Sequence, residues 1–367
     1  MEARAQPARR IRAAVTREFG GPMTVEQLDL RAPAPGEVGV RVTACAICHS
    51  DISYMNGAWG GHLPGVFGHE VAGIVDEVGE GLDEVAAGDS VVVTLIRWCG
   101  RCPTCAAGLP ALCENRSRLS DLSRSPLTLD GEPVHQGLRC AGFAERVVVH
   151  SSQVVRVPDR IPSEQAALLA CGVITGVGAV LHSSGSRTGA TAAVVGLGGV
   201  GLNAVQGCVL AGSPLILGVD PVAGKRRFAT TLGATHTAEP ADALGQTLEL
   251  TGGRGLDLVV VTAPSAAAVE GAVAMLADAG TAVLVGLPSG TTVTLDPEAI
   301  AERGQRIVGS KVGSARPHAD IPHLAGLNLA GRLQLEPLVT HRFGLDEIND
   351  AIATARAGEA LRVVVVP

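Results

Sequence analysis

Nine cysteines stand in this chain, and four of them, Cys99, Cys102, Cys105 and Cys113, fall within fifteen residues. Gaps of two, two and seven residues between these thiols suit a metal better than disulfide bridges in a chain of this length. Zinc takes four soft ligands tetrahedrally, and a closed set of four thiolates makes a structural site. The intervening Gly100, Pro103, Gly108 and Pro110 disfavour regular helix or strand. Metal binding would therefore give this lobe, about residues 97–115, its fold. Free thiols and an iron–sulfur cluster are the alternatives, and the ferredoxin spacings differ from this one. Few basic or aromatic side chains accompany the cysteines, which argues against a nucleic-acid zinc module.

A second pattern is Val195-Gly196-Leu197-Gly198-Gly199-Val200-Gly201, between an apolar run and a helical period. Gly196, Gly198 and Gly201 have the G-x-G-x-x-G spacing that makes a tight turn, admits a pyrophosphate close to backbone, and packs helix on strand. The helix N-terminus then offers free N–H groups and a positive dipole end. Asp220 ends the next apolar run, 24 residues after Gly196. A carboxylate there reads the ribose hydroxyls and repels a 2′-phosphate, so NAD is expected over NADP. Lys225, Arg226 and Arg227 read as a solvated helix face, with a 2′-phosphate contact as the alternative.

Three further segments carry candidate ligands: Cys48-His49-Ser50-Asp51, Gly68-His69-Glu70 and Cys171-Gly172-Val173-Ile174-Thr175-Gly176. Composition alone does not pair them. Taken singly, His69 reads as a satisfied surface or core histidine, and Cys171 as packing in an apolar run.

These groups need elements to position them. Residues 38–47, 70–79, 89–95 and 143–150 read as strands in a region of short strands and turns that runs to about residue 155. From about residue 165, strands at 192–198, 214–220, 256–263 and 280–287 alternate with helices at 199–211, 222–232, 241–251 and 265–277. That alternation implies βαβ units and a parallel sheet. Helices at 320–331 and 345–357 and a final strand, LRVVVV, close the chain. With 46% hydrophobic and 18% charged residues the chain is globular rather than disordered. Only 2% are aromatic, so Val, Leu, Ile and Ala must build the cores. A net charge of -7 argues against a broad nucleic-acid or anionic-membrane surface. The uncharged run Gly189–Val219 is broken by glycines, Asn203, Gln206 and Pro214, so strand–turn–helix is expected rather than a membrane span. The N-terminal stretch has no continuous apolar core of a signal peptide, so a cytoplasmic location is expected.

Cys48-His49-Ser50-Asp51, Gly68-His69-Glu70, the four-cysteine lobe, Cys171-Gly172 and the glycine turn occur in one order. As a set they resemble the medium-chain zinc alcohol dehydrogenases, from about residue 12 to the C-terminus. The resemblance implies an α/β protein in two parts. A GroES-like, β-rich catalytic domain would comprise residues 1–172 and 312–367. A Rossmann domain with a doubly wound parallel sheet would comprise 173–311, with the active site in the cleft between them. It implies two zinc ions per chain: one on Cys48, His69 and Cys171 with an open position, the other on the four-cysteine lobe. Asp51 and Glu70 match acidic residues near the metal, and Asp51 would orient the His69 ring. Thr175, Asp220 and Lys225 match positions beside the cofactor. So do Gly196, Gly198, Gly199, Val200 and Gly201. His49 and Arg362 match positions that face the pyrophosphate.

The chemistry implied is zinc-assisted loss of an alcohol proton, taken up by Ser50 and passed on through the ribose, with hydride going to the nicotinamide. Ser53 stands where several relatives carry a histidine that ends the proton relay. Trp59, Leu95, Leu119 and Leu287 would line an apolar substrate pocket. The partners expected are a small alcohol or aldehyde and a second copy of the chain, as dimer or tetramer, with no nucleic acid or membrane. Cys45, Cys140 and Cys208 are left to pack as small hydrophobes. A dehydrogenase acting on a thiol adduct, such as an S-hydroxymethyl conjugate, is the nearest rival. A metal-stapled non-enzyme and a zinc-free quinone reductase relative are more distant ones.

Overall fold

The structure, a computed structural model, describes residues 8–115, 122–185, 187–286 and 290–367. The chain forms two units, Met1–Cys171 with Arg316–Pro367, and Gly172–Ala315.

The first unit is built on strands. Alternating residues of Glu37–Ala46 bury Val38, Val40 and Val42 in a core that also takes Val71, Val75, Val91, Val93, Phe143 and Val363. This strand lies in a seven-stranded sheet, pairing with Glu70–Val78, Arg146–His150 and Arg362–Val366. A second, six-stranded sheet is led by the hairpin Arg9–Thr16 and Met23–Leu30. Register in the larger sheet carries functional weight. Ala46 pairs with Glu70 on one side and with Val364 on the other. Continuing those antiparallel ladders two residues brings Cys48 level with Gly68 and with Arg362. The chain then turns into the helix His49–Met55.

In the second unit six parallel strands run in the order His236–Ala238, Ile216–Val219, Ala192–Val195, Leu256–Val261, Leu276–Leu284 and Arg306–Gly309. Ala192–Val195, first in the chain, lies third, beside the strand that comes fourth in sequence. This is the doubly wound order, whose reversal point binds ligands outside the carboxyl ends of the strands. The run Gly189–Val219 is strand, turn, helix (Gly199–Leu210) and strand.

Several elements differ from the sequence reading, which did not place the strands His236–Ala238 and Arg306–Gly309. The strand expected at 280–287 begins at Leu276, because its register slips between the Leu256↔Leu276 and Leu258↔Thr281 pairs, with Ala279 at φ 59°. The apolar pattern shows only the regular second half. Ser163–Ser183 is helical, with π geometry at Leu169–Val173 and Ala179–Ser183. By length and composition it could cross a membrane, yet 83% of its most apolar window is buried inside the protein. Cys45, Cys140 and Cys208 are fully buried.

Candidate active site and metal centres

Cys48, His69, Glu70 and Cys171 are all buried, and their ligand atoms lie within 4.8 Å of one another. Their elements explain the meeting. Cys48 caps the helix that follows the central strand, and His69-Glu70 opens the neighbouring strand. Cys171 sits in the π-helical turn Leu169–Val173. Gly68, at φ +91°, turns the chain just before His69, and a Cβ there would lie 2.7 Å from the Phe143 amide. Only glycine fits that approach.

Asp51 organises two of these groups. Fully buried, it accepts from the Cys48 amide at 3.2 Å, the Gly68 amide at 3.0 Å and His69 Nδ1 at 2.8 Å. With Nδ1 bonded, the imidazole atom left to ligate is Nε2. It is buried and, among the described residues, has no hydrogen-bond partner, a costly state unless a ligand completes it. Two thiols, this nitrogen and a nearby carboxylate are the donor set of a catalytic zinc, so the residues present fit that ion. A hydrogen bond from Cys171 holds the Cys48 thiol well below its ordinary value. Burial works against charge on His69, but Asp51 outweighs it and holds the ring well above the usual imidazole range.

Glu70 binds Arg362, and both side chains are buried. Burial pushes the Glu70 carboxyl up to about 7 against the opposing pull of the guanidinium. Arg362, at the start of the C-terminal strand, thus lies against a metal-site carboxylate, while its Nε has no partner among the described residues.

The second cluster is local. Cys99, Cys102, Cys105 and Cys113 bring their sulfurs within 4.8 Å of one another. Cys102 caps the short helix Pro103–Ala106, and Pro110 starts a 3-10 turn that delivers Cys113. Thr104 Oγ1 lies 3.2 Å from the Cys102 sulfur, and Asn115 Nδ2 donates to Cys99 Sγ at 3.2 Å. The Thr104 contact leads a set that lowers the Cys102 thiol to about 6. Trp98 ties the entry to the lobe down through Nε1 to the Ser152 carbonyl at 3.1 Å. Four thiols so arranged fit a structural zinc.

In the second unit, Gly196 has φ +94°, and a Cβ on Gly201 would sit 1.8 Å from the Gly196 carbonyl. That carbonyl also accepts from Thr262 Oγ1 at 2.7 Å. A Cβ on Gly198 would meet nothing within 4 Å, so this turn is a cradle that a side chain would fill. Gly199 and Val200 open the helix Gly199–Leu210 beside it. These residues fit a dinucleotide pyrophosphate. Asp220 is buried, with Oδ2 accepting from the Leu197 amide and Oδ1 from the Val222 amide, both at 2.8 Å. Arg226 donates to the Asp220 and Pro221 carbonyls and to Glu239. Lys225 is half-buried.

The other candidates are placed as follows. His49 is exposed, and Ser50 and Ser53 are half-buried on the same short helix. Trp59 stacks edge-on against Tyr54 with ring centroids 5.1 Å apart. Leu95 packs on the first unit's core, and Thr175 is buried in the helix Ile174–Gly178. Leu119 and Leu287 lie outside the described residues. Sequence reasoning missed Thr94 and Gln153, both fully buried. The signal for Thr94 is a polar side chain in an apolar run, and Gln153, after His150-Ser151-Ser152, has none.

Residues 34–159 match the family model described as alcohol dehydrogenase GroES-like domain, and residues 199–327 that described as zinc-binding dehydrogenase. An NDMA-dependent alcohol dehydrogenase of Amycolatopsis methanolica is 37% identical over 363 residues, covering 96% of this chain and 98% of that protein. An S-(hydroxymethyl)glutathione dehydrogenase of Paracoccus denitrificans is 32% identical over 378 residues, covering 97% and 99%. Among solved structures, an alcohol dehydrogenase zinc-binding domain protein from Burkholderia ambifaria superposes with a TM-score of 0.94 at 35% identity, over 98% of this chain and 100% of that one. Benzyl alcohol dehydrogenase from Acinetobacter calcoaceticus superposes with a TM-score of 0.90 at 30% identity, over 98% and 99%.

Proposed function

The chain belongs to the medium-chain, zinc-dependent alcohol dehydrogenase family, and on that premise we propose reversible hydride transfer between a primary or secondary alcohol and NAD. The observation that carries this reading is the buried Nε2 of His69, without a partner among the described residues and gathered with the thiols of Cys48 and Cys171. Cys48, His69 and Cys171 would hold a zinc ion, whose Lewis acidity lowers the pKa of an alcohol hydroxyl. Asp51 fixes the ring that ligates, because its bond to Nδ1 commits Nε2 to the metal side. Ser50 Oγ would accept the hydroxyl proton as it gives its own onward. Ser53, three residues along the same helix, is on the same face and can hold a water that continues the path. The four-cysteine lobe would hold a second, structural zinc.

NAD is favoured over NADP by two features. The Asp220 carboxylate is fixed by two backbone amides and brings like charge to a 2′-phosphate. Arg226, one of three cations that could meet that phosphate, is already engaged by two carbonyls and Glu239. A homo-oligomer through an edge of the parallel sheet also belongs to this reading, since Arg306–Gly309 is paired on one side only.

The relatives named for NDMA and for S-(hydroxymethyl)glutathione set two alternatives: a different electron acceptor and a thiol-adduct substrate. A panel of small, aromatic and bulky alcohols, run with NAD, NADP or NDMA and with or without a low-molecular-weight thiol, separates all three. We expect alcohol-dependent NADH formation without thiol. Activity confined to a thiol adduct of formaldehyde, or to NDMA with no NADH formed, would refute the reading.

A further inference from the structure

Asp51 touches the Cys48 amide, the Gly68 amide and the His69 ring, so two of the three zinc ligands share one buried anchor. Cys171 is not among its contacts. The π turn that carries Cys171 has a different attachment. Thr94 Oγ1 donates to the Ala170 carbonyl at 2.7 Å. That carbonyl and the Cys171 amide belong to one rigid peptide plane, so holding the oxygen holds the Cys171 Cα in place and leaves only rotation about N–Cα and the side-chain rotamer to aim the thiol.

Thr94 is itself held firmly. It follows the buried strand Ser90–Val93 and is 0% exposed. Its amide donates to the Gln153 carbonyl at 3.0 Å, and its carbonyl accepts from Gln153 Nε2 at 3.0 Å. Gln153 Nε2 also reaches the Arg139 carbonyl at 3.1 Å. A buried hydroxyl is costly unless it is bonded, and here it is bonded to the turn that bears a ligand. π turns open the regular helical ladder and recur at functional sites.

We propose that Thr94 is a positioning residue for the catalytic metal site: its hydroxyl, set by Gln153, aims Cys171 as Asp51 aims His69 and Cys48. The proposal rests on the reading of Cys48, His69 and Cys171 as zinc ligands. It goes beyond that reading by giving the third ligand an anchor of its own.

The test is zinc transfer from the full-length protein to a chromogenic chelator. The slow and fast phases are assigned by comparing wild type with Cys48→Ser, which lacks the phase belonging to this site. Thr94→Val removes only the hydroxyl and should speed that phase about tenfold or more, the range found for loss of groups that orient metal ligands. The phase from the four-cysteine lobe should not move. Thr94→Ser, which keeps the hydroxyl, should release zinc within about threefold of wild type, well short of that range. Should Thr94→Val fail to fold, Thr94→Ala replaces it against the same serine control. Unchanged release from the valine or alanine variant would overturn the proposal. So would a serine variant as fast as either, because packing of the methyl group would then be responsible. A wild-type protein with no releasable zinc at this site would overturn the functional reading as well, whereas normal wild-type retention with an unaffected valine variant overturns this proposal alone.

Discussion

Cys99, Cys102, Cys105 and Cys113 come from one short stretch with two of the four sulfur-bearing residues half-exposed, whereas Cys48, His69, Glu70 and Cys171 come from three distant segments and are all buried. The donor chemistry follows the burial. Four thiolates exceed the charge of a divalent ion by two, which solvent near the surface can stabilise. Two thiolates and a neutral imidazole would balance it, which suits donors that are all buried. Support differs in the same way. The lobe draws on its own neighbours, Thr104 and Asn115. The buried site draws on Asp51, close to Cys48 but reaching His69 on another segment, and on Arg362 and Thr94, positioned by register and packing far along the chain. The lobe is thus a staple that makes its own fold, and the buried site is a product of the fold around it.

This contrast breaks most sharply under ligand deletion. Cys48→Ser should cut kcat/KM for alcohol about a thousandfold or more, the loss of several kcal/mol of Lewis-acid stabilisation. Its thermal midpoint should stay near wild type. Cys105→Ser should do the reverse, lowering the thermal midpoint clearly while activity per folded molecule changes little. Equal stability losses in the two variants would dissolve the contrast. Asp220→Gly offers a third, metal-free anchor to compare. Losing the carboxylate expected to bond the ribose hydroxyls costs about 1–3 kcal/mol, so kcat/KM for NAD should fall about 10- to 100-fold and the preference should move toward NADP. Wild-type protein that already prefers NADP would contradict this.

Smaller effects sharpen the picture. If Trp59 walls the substrate site, Trp59→Ala should raise kcat/KM for bulky alcohols relative to small primary ones by about tenfold, with zinc content unchanged. A uniform decrease across alcohols would make Trp59 structural. The smallest effect is a shift in pH dependence. Thr104 and nearby amides hold the Cys102 thiol at about 6, below an ordinary thiol. A depressed thiol favours the metal-binding thiolate above that pH and gives it up as pH falls through about 6. Thr104→Val should therefore move zinc loss from the lobe to higher pH, followed with a zinc-sensitive dye across a pH series. No shift, or a shift to lower pH, would remove Thr104 from the account.

What the sequence made legible follows the same division. The lobe and the glycine turn are contiguous, so spacing alone exposes them. Asp220 sits at a predictable distance from Gly196 because one βα unit separates them. Cys48, His69 and Cys171 could be grouped only through family resemblance, since strand register and the π turn that bring them together leave no mark in composition. Arg362 is placed against Glu70 by the pairing of Ala46 with Glu70 and Val364, which the LRVVVV pattern does not contain. Arg226 reads as a solvated helix residue, yet it folds back onto the Asp220 and Pro221 carbonyls. Thr94 ends an apolar strand, and nothing in that run says which carbonyl its hydroxyl will meet.

The most direct measurement is the zinc content of purified protein by elemental analysis, taken for wild type, Cys48→Ser and Cys105→Ser together. The account predicts two zinc ions per wild-type chain and about one in each variant, with alcohol oxidation retained only where the Cys48 set is intact. One zinc or none in the wild type, or activity surviving in Cys48→Ser, would contradict it.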